Sequence, residues 1–335
     1  MSFVVFFLVF VLLTYFVTFL CSKKNFLLSF TGEKHQKFTS NLKIPLTGGV
    51  LLFLSLMFLE VHINIKILCI LFFNLGLISD LKILSSANIR FLIQIIFVIL
   101  CILLLDLEIK NTRIQILDSL LEGNVFNIFF ASFCIIIIVN GTNFLDGVNL
   151  NVITYYLLIN IILFYLSFEY KFLLDYESLV ILSISLIILA IFNYKNYLFL
   201  GDNGSYLLGF FYSIILIDFY NFNQSISPFF IILLLWYPSF EILFSILRKF
   251  ILGRSPLKPD NLHLHHLLFN FFKRKFVSDN LNKNTSGILI NFYNLIIMMI
   301  SLRDISNSQS QIILIILSVT VYLVTYLKLY NKKFN

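Results

Sequence analysis

Apolar residues fall in runs along the whole chain, separated by short polar stretches. Eleven runs stand out, near residues 3–20, 43–59, 66–79, 89–105, 126–139, 153–168, 178–192, 205–217, 226–247, 285–301 and 311–327. A helix needs about 20 apolar residues to cross the hydrocarbon core of a bilayer, so the runs predict helices that span or nearly span a membrane. No polar stretch is long enough for a separate domain, and no internal repeat is evident. The pattern predicts an all-α polytopic integral membrane protein of about eleven transmembrane helices, with residues 1–335 forming one membrane-embedded domain.

Composition supports that reading. Of the 335 residues 59% are hydrophobic and 12% charged, where soluble domains carry about a quarter charged residues. The first run has no basic residue before it and is followed at once by Cys21-Ser22-Lys23-Lys24. A cleaved signal peptide has the opposite arrangement, so this run is expected to be a retained span. The four cysteines lie in or beside apolar runs without paired spacing, which implies neither a disulfide framework nor a zinc site.

Charge sets the expected orientation, because Lys and Arg accumulate in cytoplasmic loops. With the N-terminus outside and the C-terminus cytoplasmic, the inner loops lie near 21–43, 79–88, 140–152, 193–204 and 248–284. Together with Arg90 and the tail they hold 19 of the 24 Lys and Arg residues. The net charge of +7 then reflects an inner face that attracts anionic headgroups, and no nucleic-acid partner is needed.

The unusual polar clusters all fall on that inner side. They are Lys34-His35 with Pro45-Leu46-Thr47-Gly48-Gly49; Ser79-Asp80-Leu81-Lys82; Asn140 through Asn143 to Asp146-Gly147; Phe199 to Ser205; and Asp260 through His263, His265 and His266. Asp80, Asp146 and Asp202 sit at loop junctions beside the membrane, where a carboxylate is costly unless paired or metal-bound. Grouped carboxylates suit Mg²⁺, which completes its shell with substrate phosphates; singly, each reads equally well as a solvated loop carboxylate. Gly201-Asp202-Asn203-Gly204-Ser205 reads two ways. Asn203 or Ser205 caps the following helix, or the turn presents Asp202 to a metal while helix-start amides face phosphate. The histidines, beside Arg248, Lys249, Arg254 and Lys258, suit hydrogen bonding to phosphate better than zinc binding, since no cysteine is near. A merely topogenic basic loop explains Lys273-Arg274-Lys275, but not three of five histidines within four residues.

From about residue 32 to 268, these clusters occur in the order seen in a known family. The chain resembles the polyprenyl-phosphate N-acetylhexosamine-1-phosphate transferases, glycosyltransferase family 4, which include the undecaprenyl-phosphate GlcNAc-1-phosphate transferases and, more distantly, phospho-N-acetylmuramoyl-pentapeptide transferase. The matching segments are Lys34-His35-Gln36 with Pro45 to Gly49; Gly76 to Lys82 with Arg90 and Gln94; Asn140-x-x-Asn143-x-x-Asp146-Gly147; Gly201-Asp202-x-Gly204-Ser205; and Arg248 through Gly253-Arg254-Ser255-Pro256 to His263-x-His265-His266.

The resemblance implies Mg²⁺, or alternatively Mn²⁺, on Asp202. It implies a uracil ring stacked on Phe199, and catalytic roles for Asp80, Asp146 and His263. It implies substrate binding by Lys34, His35, Asn140, Asn143, Arg248, His265 and His266. The implied reaction moves a sugar-1-phosphate, of the N-acetylhexosamine type, from a UDP-sugar such as UDP-N-acetylglucosamine onto undecaprenyl or another polyprenyl phosphate. UMP is released on the cytoplasmic face of the inner membrane, as the first step of cell-envelope polysaccharide synthesis such as cell wall or O-antigen. The partners implied are the UDP-sugar, the polyprenyl phosphate and the bilayer, with a homodimer left open.

Three departures stand out: Ser79 replaces the first aspartate of the usual pair, Asn149-Leu150 replaces an Asp-Gly, and the stretch from His35 to Pro45 is longer than usual. Two rival readings are a transporter or flippase, which calls for polar residues midway along helices, and an inactive relative, motivated by Ser79.

Overall fold

The computed structural model describes residues 2–29, 43–255, 260–274 and 278–334; Lys34 and His35 lie outside the described residues. Every named element among the described residues is an α-helix. Its elements are α1 Phe3–Lys23, α2 Gly48–Met57, α3 Ile63–Asp80, α4 Ala87–Leu105, α5 Gln115–Leu121, α6 Asn124–Leu145 and α7 Asn151–Leu166. They continue with α8 Tyr176–Tyr194, α9 Gly201–Phe222, α10 Pro228–Leu234, α11 Trp236–Ile251, α12 Leu264–Lys273, α13 Asp279–Ser301 and α14 Ser308–Phe334.

Every apolar run of the sequence is helical, but not every one is long enough to cross a bilayer. Eight helices are: α1, α3, α4, α6, α8, α9, α13 and α14. The pair α10 and α11, bent by 73° at its break, makes up to nine, while α2 and α7 are shorter apolar helices. The run at 226–247, expected as one helix, is thus two. Pro238 has no N–H to give to the Leu234 carbonyl one turn back, so continuation of a regular helix is blocked. The Tyr155 hydroxyl donates to that carbonyl at 2.7 Å instead, which satisfies a polar group that lipid would leave bare.

At the centre stands α9, whose residues from Asn203 to Leu216 are all buried. It packs against α2, α3 and α6. Contact with α3 is close because position 76 is glycine: a Cβ there would lie 2.3 Å from the Asn203 Cα. Around this core, α1, α4 and α14 turn apolar side chains such as Phe7, Leu12, Phe16, Leu92, Ile96, Ile313 and Ile316 outward. An apolar exterior on helices of this length is what lipid contact requires.

Three of the helix boundaries that differ from the sequence expectation matter to the site. α6 continues to Leu145, so Asn140 and Asn143 are in its last turns rather than in a loop. α3 continues through Asp80. α9 begins at Gly201 rather than near 205, so neither Asn203 nor Ser205 is its N-cap.

Candidate active site

The C-terminal ends of α3 and α6 meet the N-terminal end of α9, and the sequence clusters converge there. Gly201, with φ of +78°, makes the entry into α9, a backbone region that glycine enters without a Cβ penalty. The position before the helix, Leu200, offers no side-chain cap. Asp80 supplies one from α3: its Oδ1 accepts the Asp202 N–H and its Oδ2 the Asn203 N–H, each at 3.0 Å.

Asp202 is therefore held at the first turn with its side chain among donors. Its Oδ2 accepts the Ser79 hydroxyl at 2.5 Å and forms an ion pair with Arg90 Nη1 at 2.9 Å. The Arg90 guanidinium also donates to the Ser79 hydroxyl. Asp202 Oδ1 accepts Asn143 Nδ2 at 2.7 Å, and the same amide reaches Ser205 Oγ at 3.0 Å. Asn140, one turn earlier on α6, turns away and donates to Gln94 Oε1 at 2.8 Å.

Asp146 follows the end of α6. Burial, together with the negative charge of Asp202, pushes its carboxyl up to about 7, although a backbone N–H from Gly201 opposes the shift. Next to it, Gly147 receives the histidine motif: a Cβ there would lie 2.2 Å from His265 Nε2 and 2.9 Å from His266 Nε2. The His265 and His266 rings are 4.1 Å apart. Burial holds His265 well below the ordinary imidazole range, with His266 and His263 adding to the effect.

The remaining predicted residues are placed elsewhere. Arg248 is buried in a bidentate pair with Asp260 at 2.7 and 3.0 Å, and also donates to Tyr326 Oη at 2.9 Å and to the Leu262 carbonyl. His263 has Nδ1 2.9 Å from Glu241 Oε1 and Nε2 3.5 Å from Asp260 Oδ1. Burial works against the Asp260 charge, but His263 and Arg248 hold its carboxyl below the ordinary value. Phe199 is half-buried; its backbone N–H donates to the Pro45 carbonyl at 2.9 Å and its carbonyl accepts the Gly48 N–H at 3.0 Å. The Lys283 ammonium is 5.4 Å from the Phe199 ring centroid. Asn149 donates to Asn196 at 2.6 Å and to Asn284 at 2.9 Å.

The donor set suits a hard cation. Among the described residues no group of three or more His, Cys, Asp or Glu side chains is arranged to hold a metal by itself. Mg²⁺ asks for less, namely one or two carboxylates with water and substrate phosphate completing an octahedron. The negative charge of Asp202 disfavours the ionised form of Asp146, and a cation held by Asp202 would ease that repulsion. Three donors occupy Asp202, leaving room among its roughly four lone-pair positions.

Sequence reasoning assigned no role to Arg90, Ser79 or Glu241, yet the structure puts the first two directly on Asp202. The signal for Glu241 was available: an acid within an apolar run is costly and so calls for a partner.

The model of glycosyl transferase family 4 matches residues 62–220, the stretch that carries Asp80, Asp146 and Asp202. An undecaprenyl-phosphate α-N-acetylglucosaminyl 1-phosphate transferase of Thermotoga maritima is 28% identical over 267 residues, covering 75% of this chain and 78% of that protein. A probable undecaprenyl-phosphate N-acetylglucosaminyl 1-phosphate transferase of Bacillus subtilis is 30% identical over 208 residues, 59% of this chain and 55% of that one. The match over residues 62–220 and these relatives, with the motifs in order and their side chains gathered at one end of the bundle, support assignment of the chain to glycosyl transferase family 4.

Proposed function

We propose that this protein transfers an N-acetylhexosamine-1-phosphate from a UDP-sugar to a polyprenyl phosphate and releases UMP. The observation that carries the proposal is the meeting of Asp80, Asp146 and Asp202 at the first turn of α9, with His265 and His266 against Gly147 beside them. Both relatives bear names for transfer to undecaprenyl phosphate, which supports that lipid as acceptor. The basic inner loops support a cytoplasmic site in the inner membrane, and envelope polysaccharide synthesis is the process that transfer to undecaprenyl phosphate would serve.

In the reaction an oxygen of the carrier phosphate bonds to the sugar-linked phosphorus, and the bond from that phosphorus to the oxygen of UMP breaks. Asp202 would hold Mg²⁺, which would supply neutralisation of the diphosphate. The protein's own part is positioning and charge, which dominate phosphoryl transfer. Asp80 fixes the first turn of α9, and Arg90 and Asn143 fix both oxygens of Asp202. The carrier phosphate has a second pKa of about 6, so it is largely ionised near neutrality and asks little of a base. Asp146 is the carboxylate placed to accept a proton, and Phe199 is the ring offered to the uracil.

The transporter reading gains buried amides midway along helices, such as Asn160 and Asn291. Their amide nitrogens are already engaged, Asn160 with the Leu179 carbonyl and Asn291 with the Asn151 carbonyl, so the carboxylate site is favoured. Purified protein with radiolabelled UDP-sugars, undecaprenyl phosphate and Mg²⁺ should form labelled lipid and UMP in equal amounts. Absence of both products with every UDP-N-acetylhexosamine would sink the proposal.

A further inference from the structure

One buried carboxylate lies beneath the histidine motif and takes no part in the chemistry above. Glu241, in the second turn of α11, is 0% exposed, where an ionised group is retained only with partners. Both its oxygens are committed. Oε1 is 2.9 Å from His263 Nδ1, and Oε2 accepts the Tyr322 hydroxyl at 2.8 Å. The other ring nitrogen of His263 faces Asp260, which Arg248 grips through both oxygens. Glu241, His263, Asp260 and Arg248 thus form a chain that ties α11 to the start of α12, with Tyr322 and Tyr326 of α14 touching its two ends.

His263 is only 6% exposed and both its ring nitrogens point at carboxylates. Its ring is therefore committed to holding rather than to binding phosphate. It is the residue immediately before α12, and it stacks on His265 with the planes 4° apart and centroids at 5.6 Å. His265 in turn abuts Gly147. The orientation of one ring is passed by contact to the pair that abuts Gly147.

We infer that Glu241 is a positioning residue: by holding His263 Nδ1 it sets the start of α12 and registers His265 and His266 against Gly147. That this register serves diphosphate transfer rests on the function proposed above. A carboxylate that only stabilised the bundle would leave the reactivity of His265 unchanged when replaced.

The test uses the full chain in lipid nanodiscs, with Glu241→Gln, Glu241→Asp, His263→Gln and the double variant Glu241→Gln/His263→Gln. A carboxylate that orients a metal-ligating histidine contributes about 10–100-fold, and the same scale is expected for one that registers histidines against Gly147. Glu241→Gln should lower kcat by that factor with the KM for UDP-N-acetylglucosamine within about twofold of wild type, and Glu241→Asp should recover part of the loss. The double variant should be no slower than the slower single one, because one residue acts through the other. In parallel, carbethoxylation by diethyl pyrocarbonate, read per histidine by mass spectrometry, should be slow at His265 in wild type and several-fold faster in Glu241→Gln.

Wild-type kcat in Glu241→Gln, losses that multiply in the double variant, or unchanged carbethoxylation of His265 would each overturn the inference. If wild type itself transfers no sugar phosphate, the functional reading fails while the modification arm still decides the positioning. Should Glu241→Gln not accumulate, Tyr322→Phe removes only the hydroxyl on Oε2. It should speed His265 modification to a smaller degree, and no change there overturns the inference equally.

Discussion

Asp80 caps α9 from 122 residues earlier in the chain, its Oδ1 accepting the backbone N–H of Asp202 at 3.0 Å. Its second oxygen takes the N–H of Asn203. The first N–H groups of a helix have no partner within it, and a carboxylate there also meets the positive end of the helix dipole. One residue therefore fixes where the Asp202 side chain begins, and the two carboxylates have separate work: Asp80 holds the helix, and Asp202 faces the site.

Asp80→Asn replaces one accepting oxygen with an NH₂ group that points a donor at a donor. Loss of a helix cap costs about 1–2 kcal/mol. The variant should therefore unfold at a lower temperature and lose at least about tenfold in transfer rate, since α9 is no longer held at its first turn. Thermal unfolding and initial rates on the same preparation check this. A wild-type rate together with a wild-type unfolding temperature would remove Asp80 from both roles.

Ser79→Asp places a second carboxylate where a hydroxyl now donates to Asp202 Oδ2. Like charges at that separation raise one pKa, and Arg90 offsets part of the repulsion. Transfer should persist near pH 8 with Mg²⁺, while the acid side of the rate profile moves to higher pH relative to wild type. Rates for both proteins from pH 5.5 to 9 at fixed Mg²⁺ decide the matter; superimposed profiles contradict it.

Asp146 links stability to pH. An unfolded aspartate releases its proton near 3.8 and the folded Asp146 near 7, so between these values the folded chain holds a proton that the unfolded chain has lost. Stability declines as pH rises from about 4 to about 7 and levels above that. Asp146→Asn removes this contribution, so its unfolding temperature should climb relative to wild type across the same window. Measurement in metal-free buffer is needed, because a bound cation favours the carboxylate.

Orientation is tested by exposed positions at the two ends of the bundle. In a background without the four native cysteines, Lys195→Cys and Arg254→Cys lie toward the carboxylate end, and Asn111→Cys and Lys171→Cys toward the other. The first pair should react with an impermeant maleimide only after the membrane is opened, and the second pair in intact cells. Reaction of all four from one side would refute a chain that crosses the bilayer between these loops.

Much of this molecule is readable from its residues in order. Runs such as 3–20 and 89–105 are helical because an apolar segment in lipid must satisfy its own backbone, and the residues that do so are adjacent in sequence. The motif residues Asn143, Asp146 and Asp202 were legible for a related reason: polar side chains at the ends of apolar runs have few purposes. Segment length did not separate spans from short helices: the runs at 66–79, 126–139 and 205–217 are shorter than 43–59 and 153–168 yet lie in the spans α3, α6 and α9, and the run at 226–247, read as one helix, is two.

What lay beyond the sequence is partnership. That Asp80 caps α9, that Ser79 and Arg90 share an oxygen of Asp202, and that Arg248 and His263 turn to Asp260 and Glu241 all depend on which helix ends meet. Each of these contacts joins residues on different turns or different helices, and the approach that permits the central ones is set by side-chain volume, as at Gly76 and Gly147. Residue type determined which groups needed partners, because an unpaired charge beside lipid is costly; packing alone decided which partners they found.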